Sequence, residues 1–146
     1  MPSILEWLLV FAVAATPMFE LLFAIPMGVA MGVSPWLVAP LALAGNLLIT
    51  ALPCVLHERL RRSGWQPPGM KRRRRAARIF DRWGLPGLAL TAPILTGTPL
   101  AAVIALAFGI GAGRTLRVIA LGLLLWTPPT VLVSVGAWEG LQAWWP

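Results

Sequence analysis

The chain alternates apolar runs with short breaks rich in proline and glycine, and its polar positions are few enough to follow one by one. Pro35 to Leu56 forms one apolar run of 22 residues. As a helix it would reach about 33 Å, enough to cross the hydrocarbon core of a bilayer. Pro35 and Pro40 fall near its start, where a missing N–H matters least, and Pro53 is expected to bend its far end. Thr115 to Trp138 is predicted as a second span, interrupted by Pro128-Pro129.

The remaining runs are too short to cross. Ile4 to Ala15 ends at Thr16-Pro17 and is followed by Met18 to Met31, which contains Pro26 and Gly28. The second half repeats the arrangement. Trp83 to Ala92 meets a break at Pro93, then Thr96-Gly97-Thr98-Pro99 leads into another run ending at Ile110. Two half-length helices around such a break describe a re-entrant hairpin, with the breaks expected at Pro17 and Pro26 in the first and at Pro93 and Pro99 in the second. Irregular backbone at membrane depth is tolerated only where protein or a water-filled cavity supplies hydrogen-bond partners.

The halves match at a nearly constant offset. Glu6 and Asp81 are 75 positions apart, Pro17 and Pro93 are 76, Gly32 and Gly109 are 77, Gly45 and Gly122 are 77, and Pro53 and Pro129 are 76. The expected fold is therefore an all-α integral membrane protein, an inverted repeat of re-entrant helical hairpin plus transmembrane helix, with a plain four-helix transmembrane bundle as the alternative. Residues 1–146 would form a single membrane domain, with repeat one over about 3–57, a basic connector over about 58–82 and repeat two over about 79–139. Facing inverted repeats of broken helices are an architecture of secondary transporters.

Composition and charge sharpen this picture. Apolar residues make up 58% of the chain and charged residues 12%, against about 25% charged in an average soluble domain. So few charges could not cover a soluble surface. One cysteine and one histidine exclude a disulfide scaffold and a zinc module. Of the 12 basic residues, all but Arg114 and Arg117 lie between Arg59 and Arg82. Short loops rich in Lys and Arg stay in the cytoplasm, which places the 58–82 connector there and makes the protein a multi-pass protein of a bacterial-type inner membrane. Within the connector, Lys71 to Arg82 is expected to form a basic surface helix. Trp7, Trp36, Trp138, Trp144 and Trp145 would line the outer interface, and Trp65 and Trp83 the inner one. The amino terminus lacks the basic n-region and cleavage site of a signal peptide, so the first apolar run is expected to belong to the mature protein.

Glu20 is the leading candidate for chemistry. It is the only formal charge between Trp7 and His57. An ionised carboxylate in hydrocarbon costs about 2.5–3.5 kcal/mol even on insertion scales, so such a residue faces a cavity or a partner. Either it exchanges protons at a solute site, or it is a structural acid bonded to free backbone at the break. Asn46, Thr91, Thr96 and Thr98 could supply a polar lining, although a threonine in a membrane helix often bonds its own backbone. Backbone N–H groups near Thr96, Gly97 and Thr98 could bind an anionic head group. Arg114 and Arg117 either snorkel to the inner interface or contact a phosphate. His57 beside Glu58 could relay protons, with an interfacial spectator as the plainer reading. The Lys71–Arg75 run reads as an inside loop touching anionic lipid. It lacks aromatic interleaving, so nucleic-acid binding is not expected. No triad, P-loop or dinucleotide fingerprint occurs, so neither an enzyme nor a cofactor is expected.

Glu20-Leu-Leu-Phe-Ala-Ile-Pro26-Met-Gly28-Val-Ala-Met-Gly32, followed by Gly45-Asn46, resembles the first signature of the small multidrug export protein family, usually grouped with the DedA / VTT-domain membrane proteins. Pro93-Ile-Leu-Thr96-Gly97-Thr98-Pro99-Leu-Ala-Ala resembles its second. The resemblance covers roughly residues 16 to 135. It implies two re-entrant hairpins in an inverted repeat. For the wider superfamily it implies proton-linked drug tolerance, or translocation of phospholipids and polyprenyl-phosphate carriers. Where family members commonly carry an arginine two positions after the glutamate, this chain has Leu22. The expected function is translocation of a hydrophobic or amphipathic small solute, a drug or a lipid carrier, with proton coupling through Glu20 as a further expectation, membrane lipids as surroundings and a homo-oligomer as the assembly. A non-transporting assembly factor or small subunit of a larger membrane complex is the competing class.

Overall fold

The computed structural model describes residues 4–16, 20–64 and 84–144. The expected break at Pro17, the basic helix from Lys71 to Arg82, and Trp65, Trp83 and Trp145 lie outside the described residues. Among these, the chain is built of helices: α1 (Ile4–Ala14), α2 (Glu20–Ala30), α3 (Pro35–Arg62), α4 (Leu85–Leu95), α5 (Thr98–Ala107) and α6 (Ala112–Trp144). The expected short–short–long order is present in each half.

Both long helices outrun their predicted spans. The apolar run marks only the part of α3 that matches hydrocarbon. The helix continues through His57-Glu-Arg-Leu-Arg-Arg62, where basic side chains in the last turn complement the carbonyl end of the helix dipole. α6 begins at Ala112 and reaches Trp144. α3 and α6 are the two helices long and apolar enough to cross a membrane, yet only 33% and 22% of their most apolar windows are buried within the protein. The core helix of a soluble protein would be mostly covered. Here Leu48, Leu52, Leu121, Leu125, Leu132 and Val133 point outward, and an apolar surface of that extent calls for lipid around it. Trp36 and Trp144 are also almost fully exposed.

Two of the prolines expected at breaks lie inside helices. Pro26 lies inside α2 and Pro93 inside α4, and neither ends its helix. A single interior proline removes one hydrogen bond and bends a helix, but reversing the chain requires a residue of positive φ. That role falls to glycine. Gly32 (φ 78) closes α2, Gly97 (φ 79) separates α4 from α5, and Gly109 (φ 89) closes α5. Pro99 does sit at the expected break, in the first turn of α5, where its missing N–H is harmless.

The turns that lead into the long helices are the same turn built twice, 77 residues apart. After α2, the Gly32 N–H donates to Val29 O at 2.9 Å and the Val33 N–H to Gly28 O at 3.0 Å. After α5, Gly109 donates to Leu106 O at 2.9 Å and Ile110 to Ala105 O at 3.1 Å. This is a Schellman pair with glycine at its left-handed position. The next helix then starts alike in both places. Leu37 and Val38 donate to Ser34 O, and Arg114 and Thr115 donate to Gly111 O.

Contacts divide the chain into two compact units, Met1–Leu48 with Leu124–Pro146, and Ile49–Leu123. Each therefore combines one pair of short helices with parts of both long ones. In the first unit α1 packs on α2, and Gly28 brings α2 close to Val10 and Val38. In the second unit α4 packs on α5, with Leu85, Ala105 and Ile110 buried together against Val118. Each unit also contains a close helix crossing on glycine. A β-carbon on Gly45 would stand 2.5 Å from the Phe11 carbonyl oxygen, and one on Gly122 would stand 2.5 Å from that of Ala89. Pro93 has no N–H to offer Ala89 O, its normal helical acceptor, so this carbonyl is the one turned toward Gly122.

Thr115 occupies in the second turn the place that Val38 holds in the first, and its side chain is fully buried. Its hydroxyl meets no hydrogen-bond partner among the described residues. A buried, unsatisfied hydroxyl costs about 1–3 kcal/mol. Thr115→Val is therefore expected to raise the stability of the detergent-solubilised protein by about 1 kcal/mol. Thermal unfolding followed by tryptophan fluorescence reads this, and a lowered midpoint would mean that the hydroxyl is bonded.

Candidate functional site

The two units hold different polar chemistry. In the first, the buried polar side chains are Glu20, Asn46, Thr130 and Ser134. Glu20 is the first residue of α2, with 3% of its surface exposed. Its N–H donates to Thr16 O at 3.3 Å. The unsatisfied N–H groups and dipole at a helix start favour a negative group there. Its backbone is unusual as well. Glu20 is the one described non-glycine residue with positive φ, at 39°, a conformation that costs an L-residue with a β-carbon about 1–2 kcal/mol. The residue 77 positions on is Gly97, where φ is also positive. The backbone position thus suits glycine, and the first half carries a buried carboxylate on it.

Asn46 is fully buried on α3, in keeping with its selection from sequence. Thr130 and Ser134 were not selected. They stand one turn apart on α6, more than nine-tenths buried on a helix that is otherwise mostly exposed. Thr130 Oγ donates to Trp126 O at 2.7 Å, and Ser134 Oγ donates to Thr130 O at 2.6 Å. Each hydroxyl has one proton, and each spends it on its own helix. Their spacing of four residues in an apolar helix was the available signal.

In the second unit Thr98, at the start of α5, is fully buried and its hydroxyl accepts from Thr50 Oγ of α3 at 2.8 Å. Thr50 was missed by the sequence reading, although it follows Asn46 by one helical turn on the same face. The other threonines do less. Thr91 is exposed and donates to Gly87 O at 2.9 Å within its own helix, which removes it from any polar lining. Thr96 is half-buried, its hydroxyl 3.4 Å from Gly97 O.

The proposed anion-binding backbone also changes. The N–H groups of Thr96 and Gly97 both donate to Ala92 O, at 3.2 and 2.7 Å, completing the end of α4, and Pro99 has no N–H at all. Of the three N–H groups expected to meet a head group, those of Thr96 and Gly97 are therefore committed to the end of α4. Arg114 and Arg117 are both exposed at the start of α6, and Arg117 Nε donates to Gly113 O at 3.0 Å. At the other end of α3, Glu58 is engaged by Arg61 at 3.6 Å and Arg62 at 3.3 Å, so its carboxylate serves an exposed ion cluster rather than a relay with His57. Cys54 is buried in α3.

No curated protein and no solved structure matches the chain. A family profile does, over residues 20–128, and its description is "Putative small multi-drug export protein". The match opens on Glu20 and takes in the two glycine turns, Gly45 and Gly122, and the Thr50–Thr98 pair. On that coverage of well over half its length, the chain belongs to the small multi-drug export protein family.

Proposed function

We propose that this membrane protein translocates a hydrophobic or amphipathic solute across a bacterial-type inner membrane, a drug or a lipid carrier, with Glu20 as its proton-exchanging group. One observation carries the proposal: a carboxylate is kept buried, on a left-handed backbone, where the matching position of the other half is glycine. Strain of this kind persists where a side chain has work to do. A structural acid would need no such backbone.

The repeated turns and glycine crossings support an inverted repeat, because the same 77-residue offset relates both halves of the Schellman pair, the start of the long helix, the glycine of the close crossing and the positive-φ position before the second short helix. The short lengths of α1, α2, α4 and α5, each of 10 or 11 residues, support re-entrant hairpins, since such helices reach only about 16 Å. With the 58–82 connector in the cytoplasm, the hairpins would enter from opposite faces and expose a midplane site to each side in turn.

The test uses purified protein in liposomes. Transbilayer movement of a fluorescent lipid and of a fluorescent amphipathic drug is followed with a membrane-impermeant quencher, with and without a pH gradient. Wild type is expected to accelerate one of them in a gradient-dependent way, and Glu20→Gln to abolish the gradient dependence. Movement no faster than in empty liposomes would sink the transport reading and favour a non-transporting subunit. Normal, gradient-driven movement by Glu20→Gln would remove proton exchange at this residue.

A further inference from the structure

We infer that α3 and α6 are paired hinges. Each long helix bends where it passes from one compact unit to the other, and Pro53 and Pro128-Pro129 set the points of bending. The inference rests neither on Glu20 nor on a solute.

The chain passes between the units twice, at Leu48-Ile49 in α3 and at Leu123-Leu124 in α6. These are also the places where the long helices lose backbone hydrogen bonds. In an α-helix each N–H donates to the carbonyl four residues back. Pro53 has no N–H to give Ile49 O, and Pro128 and Pro129 have none to give Leu124 O and Leu125 O. The first residue beyond each crossing thus carries a carbonyl without its normal helical donor. Helices bend at such points. Pro40, the other interior proline of α3, affects Trp36 O instead, near the helix start and away from the crossing.

Packing on either side confines the bend. Along α3, Gly45 is seated on the Phe11 carbonyl of the first unit, and Thr50 donates to Thr98 of the second at 2.8 Å. Along α6, Gly122 is seated on Ala89 of the second unit, and Thr130 and Ser134 are buried residues of the first. Each long helix is thus held before and after its crossing, and Ile49, Leu124 and Leu125 lie between the anchors. α6 is loosened further. Thr130 Oγ donates to Trp126 O at 2.7 Å and Ser134 Oγ to Thr130 O at 2.6 Å, a back-bonding that bends helices. Both helices remain continuous through their crossings, so they can flex there while each unit keeps its own packing, as hinged bodies do. Motion of this kind is what exposing a site to each side in turn requires.

Restoring the missing donors tests this. Leu5 of α1 belongs to the first unit and Leu95 of α4 to the second, and both are exposed. Leu5→Cys and Leu95→Cys carry spin labels in a full chain with Cys54→Ala. Label separation is read by double electron–electron resonance in lipid nanodiscs, with excess unlabelled protein so that only pairs within one chain report. The parent chain is expected to give a broad distribution of distances. Pro53→Ala, Pro128→Ala and Pro129→Ala together are expected to narrow it about twofold. Alanine is the better helix former, so this variant keeps its helices. Pro40→Ala, which restores a donor away from the crossings, is expected to leave the distribution unchanged. A width that the triple variant does not reduce, or that Pro40→Ala reduces as much, would overturn the inference. The readout is motion rather than transport, so the two readings fail separately. Narrowing by the triple variant in a protein that moves no solute in liposomes keeps the hinges and removes transport. Solute movement by a chain whose distribution the triple variant leaves unchanged does the reverse.

Discussion

Gly45→Ala and Gly122→Ala should each strip the protein of much of its folded population, while Gly87→Ala and Gly136→Ala leave it intact. The difference comes from what a new β-carbon would meet. At Gly45 it would lie 2.5 Å from the Phe11 carbonyl oxygen, with Ala14 Cβ at 3.1 Å and Ala15 N at 3.2 Å. At Gly122 the obstacle is Ala89, with its carbonyl oxygen at 2.5 Å and carbonyl carbon at 3.0 Å. The nearest obstacle at each site is a backbone carbonyl of a short helix, so relief requires moving a whole helix rather than turning a side chain. Overpacking of this kind costs about 1–3 kcal/mol and occasionally more. In a membrane, where apolar surfaces are not driven together by water, close backbone approach is itself a main source of helix association. A loss of about 3 kcal/mol or failure to accumulate is therefore expected at either site. At Gly87 and Gly136 nothing stands within 4 Å of the added carbon, and alanine there should be neutral or gain up to about 0.5–1 kcal/mol from helix propensity. Unfolding midpoints of the four purified variants decide the matter. Near-equal midpoints would show that α1 and α4 can move away from the long helices at little cost.

How far the sequence anticipates this is uneven, and the reasons are physical. The pairing of Gly45 with Gly122, and of Gly32 with Gly109, is visible as an offset because a repeated fold keeps glycine where backbone geometry demands it. What each glycine does is not visible. Two of these positions need positive φ and two need the absence of a β-carbon, and a letter does not distinguish them. Pro26 and Pro93 do not mark breaks, because proline is not an obligatory helix terminator. A helix loses one bond at proline and survives if its neighbours hold, as α2 and α4 do. The helices outrun their apolar runs because hydropathy reports hydrocarbon contact, and α3 continues through charged residues to Arg62. Thr50, Thr130 and Ser134 escaped notice singly. Their significance lies in the four-residue spacing that sets them on buried faces.

Glu20→Gly is expected to make the protein more stable and to end its function. The stability gain has two sources. Glycine adopts φ of 39° without the steric penalty that a β-carbon incurs, about 1–2 kcal/mol. It also removes a carboxylate that is 97% covered and must be solvated by the fold instead of by water. Against this stands the small void left by the side chain and the extra freedom of glycine in the unfolded chain, about 0.5–1 kcal/mol. The balance is a gain of about 1 kcal/mol. Gly97 shows that the fold accepts glycine at the matching position, where φ is 79°. A structural acid predicts the opposite: its removal would loosen the junction between α1 and α2 and lower the unfolding midpoint. Glu20→Gln completes the comparison, because it keeps the strained backbone and the side-chain volume while losing the charge. The expected pattern is a glutamine variant close to wild type in stability, a glycine variant above it, and neither able to move solute in response to a pH gradient. A glycine variant that unfolds earlier than wild type would assign Glu20 to the scaffold and leave the working group of this protein elsewhere.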